Sequence, residues 1–298
     1  MKWHGVIPAI TTPFSEDLSV DHAVLAHHAE VLVTAGSTGV VALGSLGESA
    51  TLAVSEKVAI LKTLRRALGS GAPLVAGIAA LSTAEACELA RAAEAAGCEG
   101  LMVLPPYVYR GDGRETEAHF SAVFSATRLE CMLYNNPVAY GTDVFPERIA
   151  ALAERHPNLA AVKESSADVR RVTELKALVG GRLALLVGVD DLIVEGVAAG
   201  AVGWVAGLVN ALPAESVRLF ESASSGAKGG TESLYEWFLP LLRLDTVPKF
   251  VQLIKLAQQE AGLGSERVRP PRLPLEGAER LAALRLIRER LSCRPAAP

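Results

Sequence analysis

Aromatic side chains are scarce in this sequence: Phe, Trp and Tyr supply 5% of its 298 residues. With Ala, Val, Leu and Gly abundant, that scarcity speaks against a β-sandwich and for closely packed layers of helix on strand. Cysteine is also rare. Cys87, Cys98, Cys131 and Cys293 form no CxxC pair, which leaves no disulfide framework to read. No block of one charge stands out among 29 basic and 33 acidic residues, a net charge of −4, so nucleic acid and anionic membranes are poor partners. The opening residues contain no apolar leader core and meet Pro8 and Pro13 early. The longest uncharged stretch, residues 196–214, is broken by glycines and ends in Asn210 and Pro213. It reads as a buried helix, turn and strand rather than a membrane span. Neither a Walker A motif nor a GxGxxG placed after a strand is present, so nucleotide cofactors have no support. The expectation is a reduced, cytoplasmic protein without a membrane segment.

What is present is a core-forming pattern, with 50% apolar and 21% charged residues, close to globular averages. Short apolar runs alternate with helical patterns about every 30 residues. The candidate strands are residues 5–10, 40–43, 74–78, 100–104, 131–135, 159–163, 183–187 and 202–206. They are continuous rather than alternating in polarity, as strands buried on both faces are. Helices are predicted over residues 55–68, with Ser55 as N-cap, over 83–96, ending at Gly97, and over 214–222. Eight β/α units favour an α/β fold of the (β/α)₈ TIM-barrel type over an open sheet. Beyond Gly226 the strand pattern stops, and helices are expected near 232–244, 248–261 and 277–290. The predicted division is a catalytic barrel over 1–225 and a C-terminal helical appendage over 226–298.

In such a barrel the active site lies at the carboxyl ends of the strands, so the polar residues there are the candidates. After the second strand, Gly44-Ser45-Leu46-Gly47-Glu48-Ser49 could expose consecutive amides as an anion nest, with the Ser45 hydroxyl beside them. A plain glycine-dependent turn is the other reading. The fifth strand ends in Tyr134-Asn135-Asn136-Pro137, where Tyr134 could relay protons or simply bond a neighbour. Of eight lysines, Lys163 alone directly ends an apolar strand. Its amine either pairs with a carboxylate, such as Glu164, or loses its charge and attacks a carbonyl to form a Schiff base. Asp190 and Asp191, after the seventh strand, could bind substrate hydroxyls or cap the next helix, and Gly188 could permit close packing. His22, His27 and His28 have no partners at metal-ligand spacing and read as a solvated face, so no metal is expected.

Taken together, these residues resemble the dihydrodipicolinate synthase/N-acetylneuraminate lyase family of Schiff-base barrels. The resemblance rests on Thr11-Thr12-Pro13-Phe14, Gly44-Ser45-Leu46-Gly47-Glu48, Tyr134-Asn135-Asn136-Pro137 and Val162-Lys163-Glu164, four motifs in order along nearly the whole chain. It implies Lys163 as the Schiff-base lysine, Tyr134 as proton shuttle and Ser45 as hydroxyl relay. The Ser45–Leu46 backbone would bind the carboxylate of a 2-oxo acid, with Gly188 and Asp190 as further substrate contacts. It also implies no metal or organic cofactor and a homotetramer built as a dimer of dimers. Tyr107 falls where the synthases place a tyrosine that crosses the dimer interface.

Two departures narrow the substrate. The synthases carry a second threonine where Leu46 stands, and an arginine where Ala139 stands, five residues beyond the shuttle tyrosine. Without that guanidinium, aspartate semialdehyde loses a charge-assisted contact worth roughly 1.5–3 kcal/mol. Further stretches, among them Trp3-His4-Gly5-Val6, Lys163-Glu164-Ser165-Ser166, residues 203–210 and residues 262–269, are similar to the 1-pyrroline-4-hydroxy-2-carboxylate deaminases of hydroxyproline catabolism. That branch implies a cyclic imino acid substrate. The alternatives are a pyruvate-type class I aldolase or lyase acting on a 2-oxo acid, the synthase itself, and a 2-oxo acid sensor without turnover.

Overall fold

The computed structural model describes residues 1–106, 108–226 and 230–295. Eight parallel strands run β1 (Gly5–Pro8), β2 (Val40–Ala42), β3 (Leu74–Ile78), β4 (Gly100–Val103), β5 (Glu130–Asn135), β6 (Leu159–Glu164), β7 (Ala184–Val187) and β8 (Gly203–Ala206). Each lies within about two residues of its predicted place. Their order is β1-β8-β7-β6-β5-β4-β3-β2, and a bridge between Ala9 and Val41 closes the ring. Nearly every strand residue is buried, which is why the runs are continuous in Val, Leu, Ile and Ala.

The helices are α1 (His22–Thr34), α2 (Val54–Leu68), α3 (Thr83–Ala95), α4 (Gly113–Ser125), α5 (Pro137–Tyr140), α6 (Pro146–Arg155), α7 (Arg170–Val179), α8 (Ile193–Ala199) and α9 (Pro213–Ser225). After them come α10 (Thr231–Leu242), α11 (Phe250–Glu260) and α12 (Gly277–Ser292). The fold is a (β/α)₈ TIM barrel with C-terminal helices. No described helix is long and apolar enough to cross a membrane. The uncharged stretch of residues 196–214 resolves into the end of α8, β8 and a 3₁₀ turn at Leu208–Asn210.

Three expectations are corrected. Ser55 does not cap α2. The N-cap is Ala53, whose amide donates to Glu56 Oε2 at 2.9 Å, because the acidic side chain one turn in reaches back and supersedes the hydroxyl. His28 is not on a solvated face. It is buried under the barrel mouth, 3.1 Å from Asn210 Oδ1. The Asn210 amide donates to the carbonyls of Ala9 and Gly207, which fixes its oxygen as acceptor and makes His28 Nε2 the donor. Finally, the connection from β5 to β6 holds an additional helix, α5, ahead of the expected crossover helix α6.

The C-terminal helices are joined to the barrel through buried charge. Lys255 on α11 donates to Glu48 Oε1 at 2.7 Å, with both side chains almost wholly buried. The other Glu48 oxygen accepts from the Arg269 amide at 3.0 Å. Arg269 in turn forms a two-point pair with Glu56, both contacts at 2.9 Å. Phe14 lies between the two cations, 4.5 Å from each.

Candidate active site

Parallel pairing sets Tyr134 on β5 directly beside Lys163 on β6. Both side chains enter the barrel mouth, and Lys163 Nζ lies 4.1 Å from the centre of the Tyr134 ring. Glu164, one residue on, points to the opposite side of the sheet, where its carboxylate accepts from Asn135 Nδ2 at 3.1 Å and from the Ser166 amide at 2.6 Å. Burial raises the Glu164 pKa. Alternation along the strand therefore removes Glu164 as an ion-pair partner for Lys163. No described carboxylate lies within ion-pair distance of that lysine.

Gly188 follows β7 and lies flush against the lysine. A Cβ there would fall 2.4 Å from Lys163 Cε and 2.0 Å from Ser165 Oγ, so no larger residue fits without displacing them. The Ser165 hydroxyl is buried and meets no hydrogen-bond partner among the described residues. It is a site group that the sequence reading passed over, although it stands two residues after the lysine and so shares its face of the strand.

The turn after β2 has backbone tension at both ends: Leu43 and Glu48 hold φ of 61° and 55°. Thr12 Oγ1 braces it by donating to the Gly47 carbonyl at 2.7 Å. Among the described residues no acceptor meets the Ser45 and Leu46 amides, the state an anion nest needs. The Leu46 side chain is buried, whereas Ser45 is partly open and its hydroxyl bonds the phenol of Tyr140. Tyr140 packs edge-on against Tyr134, with ring centres 5.7 Å apart. The structure thus gathers Lys163, Tyr134, Gly188 and Ser45, and adds Tyr140.

Asp190 is differently employed from either sequence reading. It does not cap the following turn. Its carboxylate accepts from Trp204 Nε1 at 3.0 Å, from the Gly207 amide at 3.0 Å and from the Leu208 amide at 2.7 Å. Those bonds hold the exit of β8 and leave it little capacity for substrate. Burial pushes its pKa up to about 6 against these hydrogen bonds. Asp245, carried in by the turn after α10, rests its carboxyl on Gly207. Desolvation, reinforced by the Asp190 charge, raises its pKa well above the usual carboxylate range. Tyr107 lies outside the described residues. Among the described residues no group of three or more His, Cys, Asp or Glu side chains converges as a metal site.

Residues 2–290 match the model of the dihydrodipicolinate synthetase family. The chain belongs to this family. A curated relative, 4-hydroxy-tetrahydrodipicolinate synthase of Chlorobium chlorochromatii, is 32% identical over 278 residues, 93% of this chain and 94% of its own. The solved 4-hydroxy-tetrahydrodipicolinate synthase of Methylacidiphilum fumariolicum superposes with a TM-score of 0.92 at 28% identity, covering 98% of each chain. YagE of Escherichia coli K12, solved in complex with pyruvate, gives 0.92 at 26% identity, covering 98% and 99%. Dihydrodipicolinate synthetase family members are Schiff-base lyases that take small 2-oxo acids such as pyruvate, and the buried lysine at the end of β6 suits that chemistry.

Proposed function

We propose that the protein is a Schiff-base-forming deaminase that converts 1-pyrroline-4-hydroxy-2-carboxylate to 2,5-dioxopentanoate and ammonia. The observation that carries this reading is the β5–α5 loop. Where the synthases place an arginine for their second substrate, this chain has the methyl group of Ala139, followed by Tyr140 bonded to Ser45. That pairing supports proton movement over a single bound molecule.

In this mechanism Lys163 attacks C2 of the cyclic imine. Ring opening leaves an enzyme-bound ketimine of a 5-amino-4-hydroxy-2-oxo acid. The ketimine nitrogen is an electron sink, so the C3 proton departs and an enamine forms. The enamine expels the 4-hydroxyl as water, with Tyr134 and Ser45 carrying protons. Tautomerisation turns the C5 amine into an imine. Hydrolysis at C5 releases ammonia, and hydrolysis at C2 frees Lys163. The free amides of Ser45 and Leu46 hold the carboxylate, and Gly188 leaves room for the lysine to swing. The chemistry needs no organic cofactor, since the lysine provides the sink. Residues 1–225 serve as the catalytic barrel and 226–298 as the helices that brace it. The assembly is proposed to be a homotetramer, which light scattering of the purified protein tests.

A second reading is favoured by one contact. Arg110 stacks its guanidinium over Gly141, next to Tyr140. There it could receive a second carboxylate in place of the missing arginine, as an aldol-type lyase or a synthase requires. The deciding experiment incubates the enzyme with 1-pyrroline-4-hydroxy-2-carboxylate and measures ammonia, with Lys163→Ala as control. Ammonia and 2,5-dioxopentanoate in equal amounts, both absent with the variant, are expected. A folded wild-type enzyme that releases no ammonia but condenses or cleaves 2-oxo acids would overturn the deaminase reading in favour of the second.

A further inference from the structure

We propose that Tyr140 is the outer member of the proton relay, exchanging protons between Ser45 and solvent from within the same protomer. The inference rests on the Schiff-base chemistry proposed above, and it adds a residue to which no role has been given. Three observations place the phenol there. Its hydroxyl bonds the side chain of Ser45, whose own amide is one of the free amides of the turn after β2. Its ring stands edge-on to Tyr134, which covers Lys163. And the residue is only partly buried, whereas Tyr134 is 5% exposed, so Tyr140 stands farther out towards the mouth than Tyr134.

The position is built rather than accidental. Asn136 Oδ1 caps α5 by accepting from the Ala139 amide at 2.9 Å, and Pro137 supplies a preset first helical residue. This single turn folds the chain back so that Tyr140 faces the strand ends. Gly141, at φ 70°, then ends the turn. Beyond it, Asn135 Oδ1 accepts from the Val144 amide at 3.0 Å, and Asp143 forms a two-point pair with Arg171 at 2.6 and 2.7 Å. The loop carrying the phenol is therefore pinned on both sides.

The proton path balances without any further reactant. When the ketimine loses a C3 proton, the C–H electron pair becomes the C2–C3 double bond and the imine π pair moves onto nitrogen. The departing proton passes to Ser45 Oγ as the Ser45 proton passes to Tyr140, which yields its own proton to water. The reverse sequence returns a proton to carbon.

The test uses pyruvate in D₂O, with NMR following exchange of its methyl protons, and borohydride trapping of the Lys163 adduct in parallel. This readout does not depend on which substrate the enzyme turns over. Tyr140→Phe keeps the ring against Tyr134 and removes only the hydroxyl. It is expected to trap pyruvate as well as wild type does while exchanging its protons about a hundredfold more slowly, the size of a general acid–base contribution. Exchange at the wild-type rate in a trapping-competent Tyr140→Phe would overturn the relay. A variant that loses trapping and exchange together would also overturn it, assigning Tyr140 to holding the site's shape. Failure of the wild-type protein to give a borohydride-trapped adduct with either pyruvate or 1-pyrroline-4-hydroxy-2-carboxylate would sink the Schiff-base reading, and the relay with it. Trapping and exchange without ammonia release from the imino acid would leave the relay standing and overturn only the deaminase.

Discussion

At the scale of single residues, the site is defined as much by what is missing as by what is present. Gly188 is the sharpest case, because any side chain there must occupy space held by Lys163 and Ser165. Gly188→Ala is expected to turn the lysine away from Tyr134 and to cost about 1–3 kcal/mol of stability through overpacking. On the proposed mechanism a misplaced Lys163 loses its near-attack geometry, so borohydride trapping should fall by about a hundredfold in a protein that still unfolds cooperatively. Trapping at the wild-type level would show that the lysine does not need this clearance. The same scale shows where sequence reading stops. Lys163 and Tyr134 are legible because a lone lysine and a tyrosine end apolar strands. Tyr140 has only a weak signal, the Asn136-Pro137 pair that starts a helical turn. Asp245 has none, since nothing in its neighbourhood says that a turn more than eighty residues after Lys163 ends against Gly207.

Among the elements, the strands were the most legible part of the fold. A run of four or five buried apolar residues has no competing local reading once its neighbours recur at β/α spacing. Helix starts were less legible, because Ser55 and Glu56 both carry capping chemistry and only the geometry chooses between them. The joint between barrel and C-terminal helices was not legible at all. Glu48 belongs to the glycine turn after β2 and Lys255 to α11, 207 residues away, yet they form a buried pair. Such a pair adds little net stability against well-packed apolar residues, but breaking it strands a charge. Glu48→Gln is therefore expected to lower unfolding free energy by about 3–5 kcal/mol. Adding Lys255→Met should restore most of that loss, since the lone ammonium is then gone. Denaturant midpoints of the two variants check this, and equal destabilisation in both would mean that the carboxylate's bond to Arg269, not the ion pair, carries the joint.

For the molecule as a whole, the buried titratable groups make opposing contributions to stability as pH changes. Burial lowers the His28 pKa from 6.5 to about 4, so the folded protein keeps this ring neutral while the unfolded chain protonates it. As pH falls from about 6.5 to 4, His28 alone withdraws roughly 3 kcal/mol of stability. Asp190 works the other way. Its folded pKa of about 6 lies above the 3.8 of an ordinary aspartate, so the ionised form is penalised on folding. Falling pH relieves that penalty between about 6 and 3.8. The two contributions oppose each other over an overlapping range, and Asp245 and Glu164, whose pKa values burial also raises, act in the same direction as Asp190. His28→Gln keeps an N–H donor for Asn210 and removes the titration. Its unfolding free energy is expected to gain on wild type by roughly 2–3 kcal/mol as the pH drops from 7 to 4.5. Parallel stability curves for the two proteins across that range would show that His28 is already protonated in the fold, and that the Asn210 network beneath the mouth tolerates a charge.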